Sequence, residues 1–160
     1  MQEQDIYGKY GAYLPKILED LSQRIQEAND RVKQETGQKL FEHFNARVKQ
    51  AASMEEKCQR KNLPRAPESA LKEIRDAIGI RIVCGFIEDI YQTIEVIRQL
   101  EGCEIVLEKD YIRAAKPNGY RSYHLILEVE TPYEDCHGQN PGRYFVEIQL
   151  RTIAMDSWAS

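Results

Sequence analysis

The chain has 160 residues, 42% of them apolar and 30% charged, with a formal net charge of −4. That length and apolar content suit one globular domain with its own core and exclude a disordered chain. The acidic balance excludes a general nucleic-acid coat, so no DNA partner is expected and any polyanion site must be a local basic pocket. No apolar run approaches the length that crosses a membrane, and the acidic start Met1-Gln2-Glu3-Gln4-Asp5 lacks an apolar signal region. Cys58, Cys84, Cys103 and Cys136 show neither C-x-x-C pairing nor zinc-type spacing with histidine. They read as reduced thiols in the cytoplasm, and Cys84, at the end of an apolar run, as a buried one.

Leu14, Ile17, Leu18, Leu21, Ile25 and Ala28 recur at helical spacing and predict an amphipathic helix over residues 12–30, with a more polar helix continuing towards Glu42. Residues 46–50 read as a short strand with Arg47 and Lys49 on one side. Ser53-Met54-Glu55-Glu56 has the form of a capping box and predicts a short helix through Lys61, before a loop with two prolines. A helical turn over residues 68–74 leads into the strand Ile78–Cys84, with Ile78, Ile80 and Ile82 on one face and Gly79, Arg81 and Val83 on the other. Phe86, Ile90, Ile94, Ile97 and Leu100 mark the apolar face of the next helix. Strands are predicted over residues 104–112, 122–129 and 143–152, and helix resumes at Ile153. Helices followed by β-α-β-β-β give an α/β (α+β) chain, a mixed β-sheet with helices packed on it.

Along the last strand Val146, Ile148 and Leu150 alternate with Glu147, Gln149 and Arg151. The apolar set faces a core; the polar set presents a carboxylate, an amide and a guanidinium in a row. A solvated sheet face gives the same pattern and stays open as the plain alternative. In the strand before it, Ser122 and His124 share one face, while Tyr123, Leu125 and Leu127 take the other. Asp76 stands at the entry of the Ile78–Cys84 strand. It and a carboxylate on a neighbouring strand could jointly hold Mg²⁺, which takes few carboxylates together with waters and substrate phosphates; an ordinary turn aspartate is the alternative.

Arg47, Lys49, Lys57, Arg60 and Lys61 bring cations close together, and Arg81 adds one on a strand face. Arginine offers a planar fork for phosphate and lysine a mobile point charge. A solvated helix face explains Lys57, Arg60 and Lys61 equally well, and capping explains Ser53. In Lys116-Pro117-Asn118-Gly119-Tyr120-Arg121-Ser122-Tyr123-His124 a tight turn is surrounded by more chemistry than a turn needs. That excess suits a ring bearing phosphates. Tyr120 is either a surface aromatic or a stacking platform for a base.

Six segments then occur in order: Arg47-x-Lys49, Ser53-x-x-x-Lys57, Asp76-x-x-Gly79-Ile80-Arg81, Lys109-Asp110-Tyr111-Ile112, Lys116-x-Asn118-Gly119-Tyr120-x-Ser122-x-His124 and Val146-Glu147-Ile148-Gln149-x-Arg151-Thr152. Together they resemble the synthetase domain of the RelA/SpoT family, most closely its small single-domain alarmone synthetases, from about residue 40 to the end. The resemblance implies a nucleotidyltransferase-like α/β fold. It implies transfer of the β,γ-pyrophosphate of ATP to the ribose 3′-hydroxyl of GDP or GTP, giving AMP and the stringent-response alarmones ppGpp or pppGpp. By the same resemblance Asp76 and Glu147 hold Mg²⁺, and Glu147 takes the 3′-hydroxyl proton. Arg47 and Arg81 sandwich adenine, and Lys49, Ser53, Lys57 and Arg60 meet the ATP phosphates. Tyr120 stacks on guanine, with Lys116, Asn118 and His124 around the acceptor nucleotide.

Residues 1–40 are then an N-terminal helical segment and residues 41–160 the synthetase domain. Ala46 and Asn62 stand where many relatives have glycine, and Tyr123 where many have an aliphatic residue. Trp158-Ala159-Ser160 ends inside an expected helix, so the C-terminal helices that relatives use in oligomer contacts are expected beyond it, with a homo-tetramer for the full-length protein. No His-Asp pair of the family's hydrolase segment is present, which implies synthesis without hydrolysis. A catalytically silent nucleotide-binding regulator on the same domain is the alternative. A conventional nucleotidyltransferase would need a Gly-Ser loop followed by paired acidic residues on one strand, and no such pair is found.

Overall fold

In the computed structural model, residues 4–159 are described; the first three residues of the acidic start and Ser160 lie outside them. A short 3-10 turn, Gly8–Tyr13, leads into helix α1, Leu14–Thr36, where Leu14, Ile17, Leu21, Ile25 and Ala28 form one buried stripe. The polar extension reaches Thr36 but not Glu42. Gly37 stops it, with φ of 81° and its N–H on the Lys33 carbonyl, a left-handed terminus that glycine adopts without strain.

Strand β1 runs His43–Val48, earlier than the expected 46–50, so Lys49 lies just past its end. Helix α2, Ala51–Arg60, begins after Gln50, whose side chain makes no capping bond. The expected capping box at Ser53 is therefore corrected: Ser53 sits exposed inside the first turn of a helix that has already begun. Asn62 just beyond takes φ of 58°, a left-handed conformation that asparagine tolerates better than most side chains. A π-type helical turn, Ser69–Glu73, precedes strand β2, Ile78–Cys84. Helix α3, Ile87–Arg98, buries Ile90, Ile94 and Ile97 as expected. Phe86 does not join that face; it precedes the helix in extended conformation and is 70% exposed. Strands β3 (Cys103–Asp110), β4 (Tyr123–Thr131) and β5 (Gly142–Thr152) follow, then helix α4, Ile153–Ala159.

The five strands form one mixed sheet in the order β1-β2-β5-β4-β3. Only β2 and β5 are parallel; the other neighbours are antiparallel. Ile78, Ile80, Ile82, Val146, Ile148, Leu150, Leu125 and Leu127 are buried, in one continuous core with the stripes of α1 and α3. The opposite face is polar, and register sets its order. One row across the sheet reads Arg47, Gly79, Glu147, Ile126, Leu107; the next reads Asn45, Arg81, Gln149, His124, Lys109.

A bulge completes both rows. Ile105 pairs with Leu127, but Leu107 pairs with Ile126, so β3 spends two residues where β4 uses one. Val106 is the extra residue. Because side-chain direction alternates, the bulge turns Leu107 and Lys109 onto the polar face.

Candidate active site

Asp76 enters from the segment before β2 and anchors the polar face. Its Oδ2 accepts from Lys49 Nζ at 2.8 Å and from Lys57 Nζ at 2.7 Å. Burial alone raises its carboxyl, but the hydrogen bonds and charges of Lys49 and Lys57 outweigh that and hold it below the usual carboxylate range. Its Oδ1 is buried with no hydrogen-bond partner among the described residues. A buried, ionised oxygen without a donor is costly, and a bound cation is one way to satisfy it.

Glu147 stands beside it on β5. Its Oε1 accepts from Gln149 Nε2 at 3.1 Å and lies 3.9 Å from His124 Nδ1. Asp76 and Glu147 are shared by two cavities. The first, about 410 Å³, is lined by Asn45, Arg47, Lys49, Arg81 and Gln149, with Gly79 in its wall. A Cβ on Gly79 would meet no atom within 4 Å, so the missing side chain leaves open space. The second, about 470 Å³, is lined by Lys57, Lys61, Arg75, Lys109 and His124. Both volumes fall in the range of small-molecule pockets. Cations therefore stand on two sides of a shared pair of carboxylates, a chemistry that suits anionic, phosphate-bearing groups.

Beyond the second cavity lies the Pro117-Asn118-Gly119 turn. Gly119 has φ of 86° and donates its N–H to the Lys116 carbonyl at 2.8 Å. Asn118 Oδ1 accepts from Tyr120 N at 3.0 Å, so this side chain shapes the turn itself. Trp158 of α4 covers the turn, 3.5 Å from where a Gly119 Cβ would stand. The turn delivers Tyr120 to a polar cluster. Arg151 Nη2 donates to Tyr120 Oη at 2.7 Å, and Tyr120 Oη lies 2.9 Å from His124 Nε2. Burial lowers the His124 pKa first, and the Arg151, Lys116 and Lys109 charges lower it further, against the pull of Glu147. A neutral His124 accepts from Tyr120 at Nε2 and keeps its proton at Nδ1, the nitrogen on the Glu147 side. Lys116 Nζ lies 4.7 Å from the Tyr111 ring centre and 5.3 Å from that of Tyr120. The Arg151 guanidinium carbon lies 5.3 Å from the Tyr120 ring centre as well, so two cations flank this ring.

The structure thus brings Arg47, Lys49, Arg81, Asp76 and Glu147 to one cavity, and Lys57, Asp76, Glu147 and His124 to the other. Tyr120 and Lys116 stand next to His124 without lining either cavity. Ser53 and Arg60 lie exposed on α2, also outside both cavities. Lys109, Gln149, Lys61 and Arg75 line the cavities without having been assigned a role. Lys109 belongs to one of the six quoted segments, and Gln149 to the polar alternation of β5; both were visible as residues but not as neighbours. Arg75 carries no sequence signal beyond its adjacency to Asp76.

A mixed five-stranded sheet with two basic cavities meeting at paired carboxylates defines an α/β protein shaped for nucleotide phosphates. Residues 46–160 match the family described as the region found in RelA / SpoT proteins, and the chain belongs to that family. It is 44% identical over 125 residues to the GTP pyrophosphokinase YwaC of Bacillus subtilis, covering 78% of this chain and 57% of the relative. It is 34% identical over 145 residues to the GTP pyrophosphokinase YjbM of the same organism, covering 91% of this chain and 65% of the relative. The chain therefore spans less than two thirds of the length of these curated relatives. Among solved structures, the small alarmone synthetase 1 from Bacillus subtilis bound to its product pppGpp superposes with a TM-score of 0.76 at 32% identity, covering 91% of this chain and 72% of that one. No helix among the described residues is long and apolar enough to cross a membrane.

Proposed function

We propose that the chain is a GTP pyrophosphokinase that moves the β,γ-pyrophosphate of ATP onto the 3′-hydroxyl of GDP or GTP. The observation that carries this is the sharing of Asp76 and Glu147 by two basic cavities. ATP occupies the first cavity, with adenine between Arg47 and Arg81 over the open Gly79 and its phosphates towards Lys49 and Lys57. The acceptor occupies the second, with its ribose towards Glu147 and its base towards Tyr120. The acceptor 3′-oxygen attacks the β-phosphorus of ATP, the bond from that phosphorus to the α–β bridging oxygen breaks, and AMP leaves with the electron pair. Glu147 accepts the 3′-hydroxyl proton. Such a transfer depends on alignment and charge neutralisation, with little covalent work for the protein.

The buried, unpartnered Asp76 Oδ1 and the nearby Glu147 carboxylate fit Mg²⁺, which favours few carboxylates plus phosphates and waters. When bound, Mg²⁺ neutralises charge on the transferring phosphates. Lys49 and Lys57 keep Asp76 ionised for that role. The cysteines are free thiols, which fits a cytosolic setting.

Incubation with labelled ATP, GDP and Mg²⁺ tests the proposal. AMP and a 3′-pyrophosphorylated guanine nucleotide are expected in equal amounts. Glu147→Gln should abolish transfer while both nucleotides still bind. A protein of the relatives' full length that yields no such product would sink the proposal.

A further inference from the structure

Arg151 lies on β5 just past the two polar rows, paired with Val83, and is only 7% exposed. Burying a guanidinium is unfavourable unless its donors are met. Here every nitrogen has a side-chain partner. Nε donates to Ser122 Oγ at 3.5 Å and Nη1 to Asp156 Oδ1 at 3.4 Å. Nη2 donates both to Tyr120 Oη at 2.7 Å and to Gln149 Oε1 at 3.0 Å. Gln149 in turn donates to Glu147 Oε1 at 3.1 Å. One buried side chain therefore grips the aromatic on the acceptor side and the amide that orients the proposed base.

Asp156 extends the grip to the other cavity. The same oxygen, Oδ1, faces Arg151 Nη1 at 3.4 Å and Arg81 Nη1 at 3.7 Å. Arg81 lines the first cavity. Helix α4 also places Trp158 over Gly119 in the turn that carries Tyr120. A single short helix thus touches both sides of the site.

We propose that Arg151 is a positioning residue that fixes Tyr120 and Gln149 for the acceptor nucleotide, and that Asp156 links this setting to Arg81 on the donor side. This rests on the pyrophosphokinase function proposed above. An Arg81 that turns into the first cavity to meet a base leaves Asp156 Oδ1 to Arg151 alone. Filling the donor cavity then tightens the hold on Tyr120. By reciprocity, acceptor binding favours donor binding equally.

The test titrates GDP and a non-hydrolysable ATP analogue, separately and together with Mg²⁺, and measures turnover alongside. The proteins are the wild type, Arg151→Lys, Tyr120→Phe, their double variant and Asp156→Asn. The wild type should bind GDP more tightly with the analogue present. Arg151→Lys keeps the charge and loses the fork. It should weaken GDP by about tenfold while the analogue stays within about twofold, the scale of a lost charge-assisted hydrogen bond. Tyr120→Phe keeps the ring and removes the hydroxyl, and should cause a similar loss. The double variant should be no worse than the worse single one, because both remove the same bond. Asp156→Asn should keep each separate affinity and lose the mutual enhancement.

Equal losses for both nucleotides in Arg151→Lys, or additive losses in the double variant, would overturn the proposal. So would mutual enhancement that survives Asp156→Asn. Should Arg151→Lys fail to fold in a thermal melt, Tyr120→Phe and Asp156→Asn decide alone, since both leave the buried guanidinium in place and each removes only one of its partners. Failure of the underlying function looks different: the wild type binds both nucleotides and forms no pyrophosphorylated product. A wild type that binds neither overturns both.

Discussion

Two aspartates of this chain are held in opposite ways. Asp76 has one oxygen gripped by two lysines and one oxygen left without a donor. Asp135, only 1% exposed, has both met: Oδ1 accepts from the N–H groups of His137 and Gln139, and Oδ2 from that of Arg143 at 2.8 Å and from Lys72 Nζ at 3.4 Å. The first arrangement leaves a buried oxygen unmatched among the described residues; the second closes the connection between β4 and β5. Burial alone raises the Asp135 carboxyl, but those N–H groups and Lys72 outweigh it and hold it below the ordinary 3.8. Its folded pKa is thus depressed. The stability it contributes is fully present above pH 3.8 and is lost as pH falls through the lower folded value. Asp135→Asn should cost about 1.5–3 kcal/mol at neutral pH, the range for hydrogen bonds to a charged group. It should also flatten the acid limb of a plot of urea midpoint against pH; an unchanged limb would show that Asp135 does not drive it. Gly79 gives a second prediction at this scale. A side chain there meets no atom at its Cβ, so Gly79→Val should fold normally. It projects into the first cavity and should weaken an ATP analogue by about tenfold or more while GDP binding holds, measured by titration.

At the scale of elements, periodicity made some parts readable and left others hidden. Ile78, Ile80 and Ile82 alternate so plainly that β2 was bounded to the residue, and the α1 stripe was equally plain because each of its members enters one core. β1 is an edge strand with most of its residues exposed, so no apolar alternation marked its start at His43. Ser53 and Glu56 have the spacing of a capping box, but the chain had already turned helical at Ala51. The bulge at Val106 has no sequence signal at all, and without it Lys109 cannot be placed on the polar face. Deleting Val106 removes only the extra residue, so Leu107 should still pair with Ile126 and Lys109 with His124, both on the polar face of a regular ladder. The expected outcome is near-normal unfolding and GDP binding, measured by urea denaturation and titration, because Lys109 keeps its place opposite His124. A marked loss of GDP binding would mean instead that the local twist of the bulge, and not the pairing register, places Lys109.

The whole molecule carries −4, yet its two cavities are lined by Arg47, Lys49, Arg81, Lys57, Lys61, Arg75 and Lys109. Composition alone required any anion site to be local, and the fold makes it so by gathering segments far apart in the chain onto one sheet face. Which segments belonged together was legible through the family pattern; how they meet depends on strand order, which no single segment encodes. Half-exposed cations are screened by salt, whereas the apolar core is not. Raising ionic strength should therefore raise KM for both nucleotides and leave the thermal midpoint nearly unchanged. A midpoint that falls in step with nucleotide affinity would contradict this division.

The central place of β5 also bears on how the chain is born. Gly142–Thr152 leaves the ribosome after the other four strands, yet it lies between β2 and β4. Until it emerges, β1–β2 and β3–β4 are separate two-stranded ribbons, too small to be stable alone. Synthesis must pass residue 152 before the sheet can close. Glu147 rides on that closing strand. A chain interrupted before β5 is complete therefore has no closed sheet on which Asp76 and Glu147 can meet.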